Sequence, residues 1–194
     1  MPDAVFSNAG HIDDLSTDGK YAVISQNTGT TNRDIVAISL TGDREPVPIA
    51  ASQANELYGR LSPDGRWVAY TSNESGKDEI YVQAFPRAGS RTLISSNGGL
   101  YPAWRRDGKE LFYISSDRRK LMSVSISSGT AIQAGTPQPL FDINLTTDGG
   151  VGTPSHFDVS PDGKRFLIAT SAGETSAISP VIHIVLNWPG LLQR

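Results

Sequence analysis

Three histidines, His11, His156 and His183, carry the acid–base options of this chain. His156 has Ser155 before it and Asp158 after it, the residue types of an acyl-transfer triad. Such a triad needs its nucleophile on a strained elbow beside an oxyanion hole. No Gly-x-Ser-x-Gly occurs, so His156 reads as a histidine at a strand start. His183, inside the run VIHIVL, reads as a packed histidine with one bonded nitrogen. His11 precedes Asp13-Asp14. An imidazole and two carboxylates suit a metal, and the acidic pair suits a solvated turn equally well. Asp142, Asn144, Thr146 and Asp148 place oxygens at every second position, as a calcium loop does. An EF-hand also wants glycine sixth and glutamate twelfth, and Thr147 and Thr153 stand there. No catalytic residue, metal site or cofactor is expected.

The elements that would carry any site are repeated. Asp18-Gly19, Asp64-Gly65, Asp107-Gly108 and Asp162-Gly163 follow one another at intervals of 46, 43 and 55 residues. The text around them agrees: LSTDGKYAVI, LSPDGRWVAY, WRRDGKELFY, VSPDGKRFLI. Each pair reads as a hairpin corner, with a type I turn and then a glycine in the left-handed conformation. Thr17 and Arg106 stand where the other copies have proline, and glycine has no substitute in the four copies. The runs after the corners, such as Trp67 to Tyr70 and Leu111 to Ile114, are apolar at successive positions. A strand apolar on both sides is covered on both sides.

A third strand follows in each unit, at 35–40, 80–85, 121–126 and 181–186. A weaker fourth follows at 47–50, 92–95 and 139–141. Repeats of this period built from short strands are propeller blades. The expectation is an all-β chain: a β-propeller of about four four-stranded blades, either a small propeller or a segment of a larger one. One domain spans 1–194, with blades at 8–50, 56–95, 100–141 and 155–194. Residues 3–7 either supply a missing strand of the last blade or belong to a preceding one. The long last interval places its surplus in a turn at 129–138 and a loop at 142–155; such segments carry binding residues or are mobile and idle, and Gly149, Gly150 and Gly152 favour the second.

In such a ring Tyr58 and Tyr101 precede the innermost strands, which line the central channel, and Trp104 lies on one. Arg60, Arg105 and Arg106 are their neighbours. Aromatic and arginine side chains at a channel mouth make good contact residues. Tyr58 and Tyr101 suit that role and inter-blade packing equally; packing is favoured for Trp67 and Trp104. Lys20, Arg66, Lys109 and Lys164 follow the four corners, each beside an aspartate. Charges so mixed cancel locally and steer little.

The pattern Ser-Pro-Asp-Gly, a basic residue, apolar positions, then Ser-Gly and Ile-Tyr resembles the TolB-like, WD-like propeller repeats of bacteria. It is carried by SPDGRWVAYTSNESGKDEIYVQAFP (62–86), GGLYPAWRRDGKELFYIS (98–115), FDVSPDGKRFLI (157–168) and VLNW (185–188). It is most similar to the propeller portions on the C-terminal side of bacterial serine/threonine protein kinases. Blade 1 departs most, with Thr17 in place of proline. The resemblance implies a sensing or docking part that binds a protein partner or small ligand. The chain has no kinase glycine loop, His-Arg-Asp loop or Asp-Phe-Gly, so kinase activity is not expected of these residues. The alternative is the substrate-filtering propeller of a prolyl-oligopeptidase-type serine peptidase, which requires a hydrolase domain downstream.

Composition narrows the partners. The formal net charge is −3, which argues against a nucleic-acid surface. There are no cysteines, which removes disulfides, thiolate metal sites and a cysteine nucleophile. MPDAVFSNAG lacks the basic-then-apolar order of a secretion signal, and no apolar run is long enough to span a bilayer as a helix. A TolB-like or membrane-kinase context would place the chain outside the cytoplasm, and otherwise it is cytoplasmic. Two chains could pair as a homodimer to build a larger ring.

Overall fold

The computed structural model describes residues 10–27, 32–42, 45–87, 89–143, 145, 157–170 and 181–186. Residues 3–7, most of the 142–155 segment, His156 and the side chain of His183 lie outside the described residues.

The four corners fold alike. Gly19, Gly65, Gly108 and Gly163 have φ of 71°, 67°, 70° and 71°. Their amides donate to the carbonyls of Ser16, Ser62, Arg105 and Ser160 at 2.8–2.9 Å. The same four residues donate their own amides across the corner to the carbonyls of Tyr21, Trp67, Glu110 and Arg165. Each hairpin is thereby closed with a left-handed residue inside it.

The strands between corners form four antiparallel sheets. Blade 1 has β1 (Gly10–Leu15), β2 (Tyr21–Asn27), β3 (Arg33–Ser39) and β4 (Val47–Ala50), paired in that order. Blade 2 repeats this with β5 (Glu56–Leu61), β6 (Trp67–Ser72), β7 (Glu79–Ala84) and β8 (Arg91–Leu93). Blade 3 has β9 (Gly99–Trp104), β10 (Glu110–Ser115), β11 (Lys120–Ser128), β12 (Ile132–Ala134) and β13 (Gln138–Asp142). The described part of blade 4 is β14 (Phe157–Val159), β15 (Arg165–Thr170) and β16 (Val181–Leu186).

Blade 3 corrects one expectation. The 129–138 segment is not an idle turn, because it contains β12. The nine-residue β11 outruns the six-residue β10. Its far end pairs with β12, Ser128 opposite Ile132, and its near end pairs with β13, Lys120 opposite Asp142. Buried Ile132 anchors the extra strand. Three residues, two of them exposed, carry too little pattern to be read as a strand.

Alternation along the middle strands divides the core. On β6 all six residues are buried. Val68 and Tyr70 join Val23, Ile35 and Ala37 of blade 1. Trp67 and Ala69 join Leu111, Tyr113 and Val124 of blade 3. On β10 the opposite pair, Phe112 and Ile114, joins Phe157, Phe166 and Ile168 of blade 4. Each large side chain buried this way contributes about 1.5–3 kcal/mol. The sheets therefore stabilise one another in series and hold their corners side by side.

Candidate functional site

Each corner aspartate is occupied with its own turn. Ser16, Ser62 and Ser160 donate their hydroxyls to Asp18, Asp64 and Asp162 at 2.7, 2.6 and 2.5 Å. The same carboxylates accept the amides of Lys20, Arg66 and Lys164 at 3.0–3.2 Å. In corner 3 an arginine replaces the serine. Arg105 grips Asp107 through Nε and Nη2 at 2.8 and 2.7 Å, and holds Glu110 through Nη1 at 2.9 Å. These bonds, that from Arg105 foremost, lower the Asp107 carboxyl to about 2. Burial alone would raise Asp64, but the Ser62 hydroxyl and Arg66 hold it below the usual carboxylate range.

The same turn recurs between β10 and β11 without glycine. Ser115 donates to Asp117 at 2.6 Å, and Asp117 accepts the Arg119 amide at 3.1 Å. Arg118 takes the left-handed position at φ 59°. The serine–aspartate bond holds this turn even where an arginine sits in the glycine position.

The candidate contact residues separate into groups. Tyr58 and Tyr101 lie on the innermost strands β5 and β9, where the pairing register shifts. Both have positive φ, 60° and 56°, and both are buried, their ring centroids 4.3 Å apart. Arg60 lies next to Asp14, with Nη1 3.9 Å from Oδ1. Its carbonyl accepts the Trp104 indole N–H at 3.0 Å. Arg105 is committed to Asp107 and Glu110 as described. Among the described residues the Arg106 guanidinium has no hydrogen bond or ion pair.

Asp13 and Asp14 do not sit in a solvated turn. Both lie on β1, and they accept backbone amides of blade 2. Gly59 donates to Asp13 at 3.1 Å and Leu61 donates to Asp14 at 2.8 Å. Ser25 also donates to Asp13. β5 is the end strand of its sheet, so these amides face away from β6 without a strand partner, and the two carboxylates take them. Burial raises both carboxyls against the lowering effect of these bonds. Among the described residues no group of three or more His, Asp or Glu is placed to hold a metal.

Two notches open between neighbouring corners. The one between corners 1 and 2 is about 370 Å³ and is lined by Thr17, Asp18, Tyr21, Pro63, Phe85 and Pro86 among others, with no cation. The one between corners 2 and 3 is about 270 Å³, with Pro63, Asp64, Trp67, Trp104, Arg106 and Asp107 in its wall. Trp104 and Arg106 are thus the two candidate contact residues that share an open notch. Trp67, read in the sequence as packing, has its ring in the core and also borders the notch. Its indole N–H is buried and has no acceptor among the described residues. No sequence signal marks that missing acceptor, because it depends on what lies across the blade interface.

No protein-family model matches the chain, and no curated protein does. Solved structures are similar to it. A putative TolB from Agrobacterium tumefaciens matches at 24% identity and a TM-score of 0.63, over 93% of this chain and 62% of that one. An oligogalacturonate lyase in complex with manganese matches at 14% identity and 0.59, over 87% of this chain and 45% of that one. A puromycin-hydrolyzing peptidase of Mycobacterium tuberculosis matches at 19% identity and 0.59, over 89% of this chain and 30% of that one. The chain therefore spans less than two thirds of the length of each. At these identities the likeness is one of architecture: the chain has a β-propeller fold like that of TolB.

Proposed function

We propose that the chain is a non-catalytic binding propeller that receives a partner on the face carrying its corners. The observation behind this reading is the notch between corners 2 and 3. There an unpaired guanidinium, Arg106, stands with two indoles, Trp67 and Trp104, on a frame held by inter-blade packing. Tryptophan and arginine in a rigid pocket are the residue types that dominate binding energy. Such a module suits the sensing or docking part of a bacterial serine/threonine kinase, or a TolB-like protein that contacts another protein. The partial coverage of the similar structures suits a module that works within a longer chain or a larger ring. A second reading, the substrate-filtering propeller of a serine peptidase, draws on the likeness to the puromycin-hydrolyzing peptidase.

The reading frame on either side of the segment separates the two, since a kinase upstream supports the first and a hydrolase downstream the second. Binding itself is tested with a photo-crosslinking amino acid at Ser128, which lines the notch, and at exposed Leu93 on the outer strand β8. A discrete crosslinked product from Ser128 alone is the expected result. Equal products from both positions, or none, contradict a binding face at the corners.

A further inference from the structure

The corner 2–corner 3 notch has an electrostatic and hydrogen-bonding character that its neighbour lacks. Its two carboxylates are already balanced: Asp64 by Arg66 at 2.8 Å, and Asp107 by the two-point grip of Arg105. Arg106 is left over as an unmatched cation. Trp104 spends its N–H on the Arg60 carbonyl. Trp67, only 8% exposed, has an N–H donor with no acceptor. One exposed cation in the wall and one unsatisfied donor buried behind it call for a ligand that brings acceptor oxygens and little else.

We propose that this notch binds a carboxylate presented by an acidic residue of a partner protein, with Arg106 as its charge partner and Trp67 as its second donor. The proposal rests on the binding reading above and names the ligand class. Arginine engages a planar carboxylate in two-point fashion. The Trp67 N–H is closed off from solvent in the free chain, so binding includes a turn of the indole toward the notch. A monoanion is favoured over a phosphate dianion because the notch wall offers one unmatched cation, Arg106. The volume, about 270 Å³, suits one side chain with its flanking backbone. Pro63 and Trp104 then supply the apolar walls for that backbone.

The test uses the full chain labelled with nitrogen-15 and reads the indole N–H signals. The probes are a blocked tetrapeptide with one glutamate, its glutamine twin, benzoate and inorganic phosphate. The glutamate peptide should move the Trp67 signal saturably, in the direction of a newly formed hydrogen bond. The glutamine twin should bind about tenfold more weakly or worse. Arg106→Gln, an exposed change whose melting curve serves as the folding control, should weaken the glutamate peptide to the level of the twin. Trp67→Phe, which removes the donor and also shrinks a buried ring, is checked by its own melting curve and should weaken it less than Arg106→Gln does. Equal binding of the two peptides, or an unchanged affinity in Arg106→Gln, overturns the carboxylate assignment. Benzoate or phosphate competing as strongly as the peptide overturns the assignment to a protein side chain. Peptide failure with the Ser128 crosslink intact removes this proposal alone, and loss of both removes the binding reading as well.

Discussion

Tyr58 and Tyr101 meet ring to ring across the blade 2–blade 3 boundary, with centroids 4.3 Å apart and planes inclined by 43°. Both residues hold the left-handed backbone conformation that costs a non-glycine residue about 1–3 kcal/mol. Two strained residues in equivalent positions persist because the pair packs among Leu57, Leu100 and Phe157. Their coupling should appear in a double-mutant cycle with Tyr58→Leu and Tyr101→Leu. Chemical denaturation should give an interaction energy of about 0.5–1.5 kcal/mol. Additive single mutants would show that the rings do not support each other.

Acid titration should separate two classes of aspartate. Asp13 and Asp14 are raised above 3.8 by burial, so the stability they confer is complete below that pH and declines as pH rises through their native values. The corner residues Asp18 and Asp107 are lowered to about 2, Asp18 chiefly by the Ser16 hydroxyl and Asp107 chiefly by Arg105. Their contribution is present above 3.8 and is lost as pH falls through about 2. The double variant Asp13→Asn/Asp14→Asn should therefore have a flatter melting temperature than the parent chain as the pH rises from 3.8. Parallel profiles would mean that neither buried carboxylate titrates differently on folding.

Two glycines should fail for different reasons. A Cβ on Gly65 meets nothing within 4 Å, so its cost is the left-handed backbone alone, about 1–2 kcal/mol for Gly65→Ala. Gly65→Asn should recover much of that, because asparagine tolerates this conformation. A Cβ on Gly59 would lie 2.7 Å from Val23 Cγ1 and 3.0 Å from Ile35 Cγ2, at the blade 1–blade 2 contact. Gly59→Ala should cost about 1–3 kcal/mol through overpacking, and Gly59→Asn should be worse. Urea denaturation of the four variants checks the opposite ordering at the two sites.

Thr71 is a stabilisation target. It is 1% exposed on β6, and its hydroxyl has no partner among the described residues. A buried hydroxyl without a partner costs about 1–3 kcal/mol, and valine fills the same outline without it. Thr71→Val should raise the urea midpoint with an unchanged slope. A lower midpoint would reveal a polar partner for that oxygen.

The propeller was legible because its signals are local. The Asp-Gly corners and the successive apolar residues of β6 and β10 state both the turn and the two-sided burial within ten residues. The serine two residues before Asp18, Asp64 and Asp162 was also in plain view, and so was its recurrence at Ser115-Asp117. Its partnership with the aspartate needed the turn geometry to be appreciated. What stayed illegible depends on the neighbouring blade. Asp13 and Asp14 look like a solvent-facing acidic pair until the free edge of β5 presents its amides to them. Arg105 and Arg106 are indistinguishable in sequence, yet one is bound to Asp107 and Glu110 and the other is unpaired. Trp67 and Trp104 differ likewise, since only Trp104 reaches a carbonyl.

Recognition at the corner face is tested most directly at Arg106. The decisive experiment compares crosslinking from Ser128 in the parent chain and in Arg106→Gln, at matched expression and melting temperature. A discrete product from the parent that disappears in the variant is the result expected of a binding propeller that recognises its partner there. A product of equal yield from both chains would contradict it.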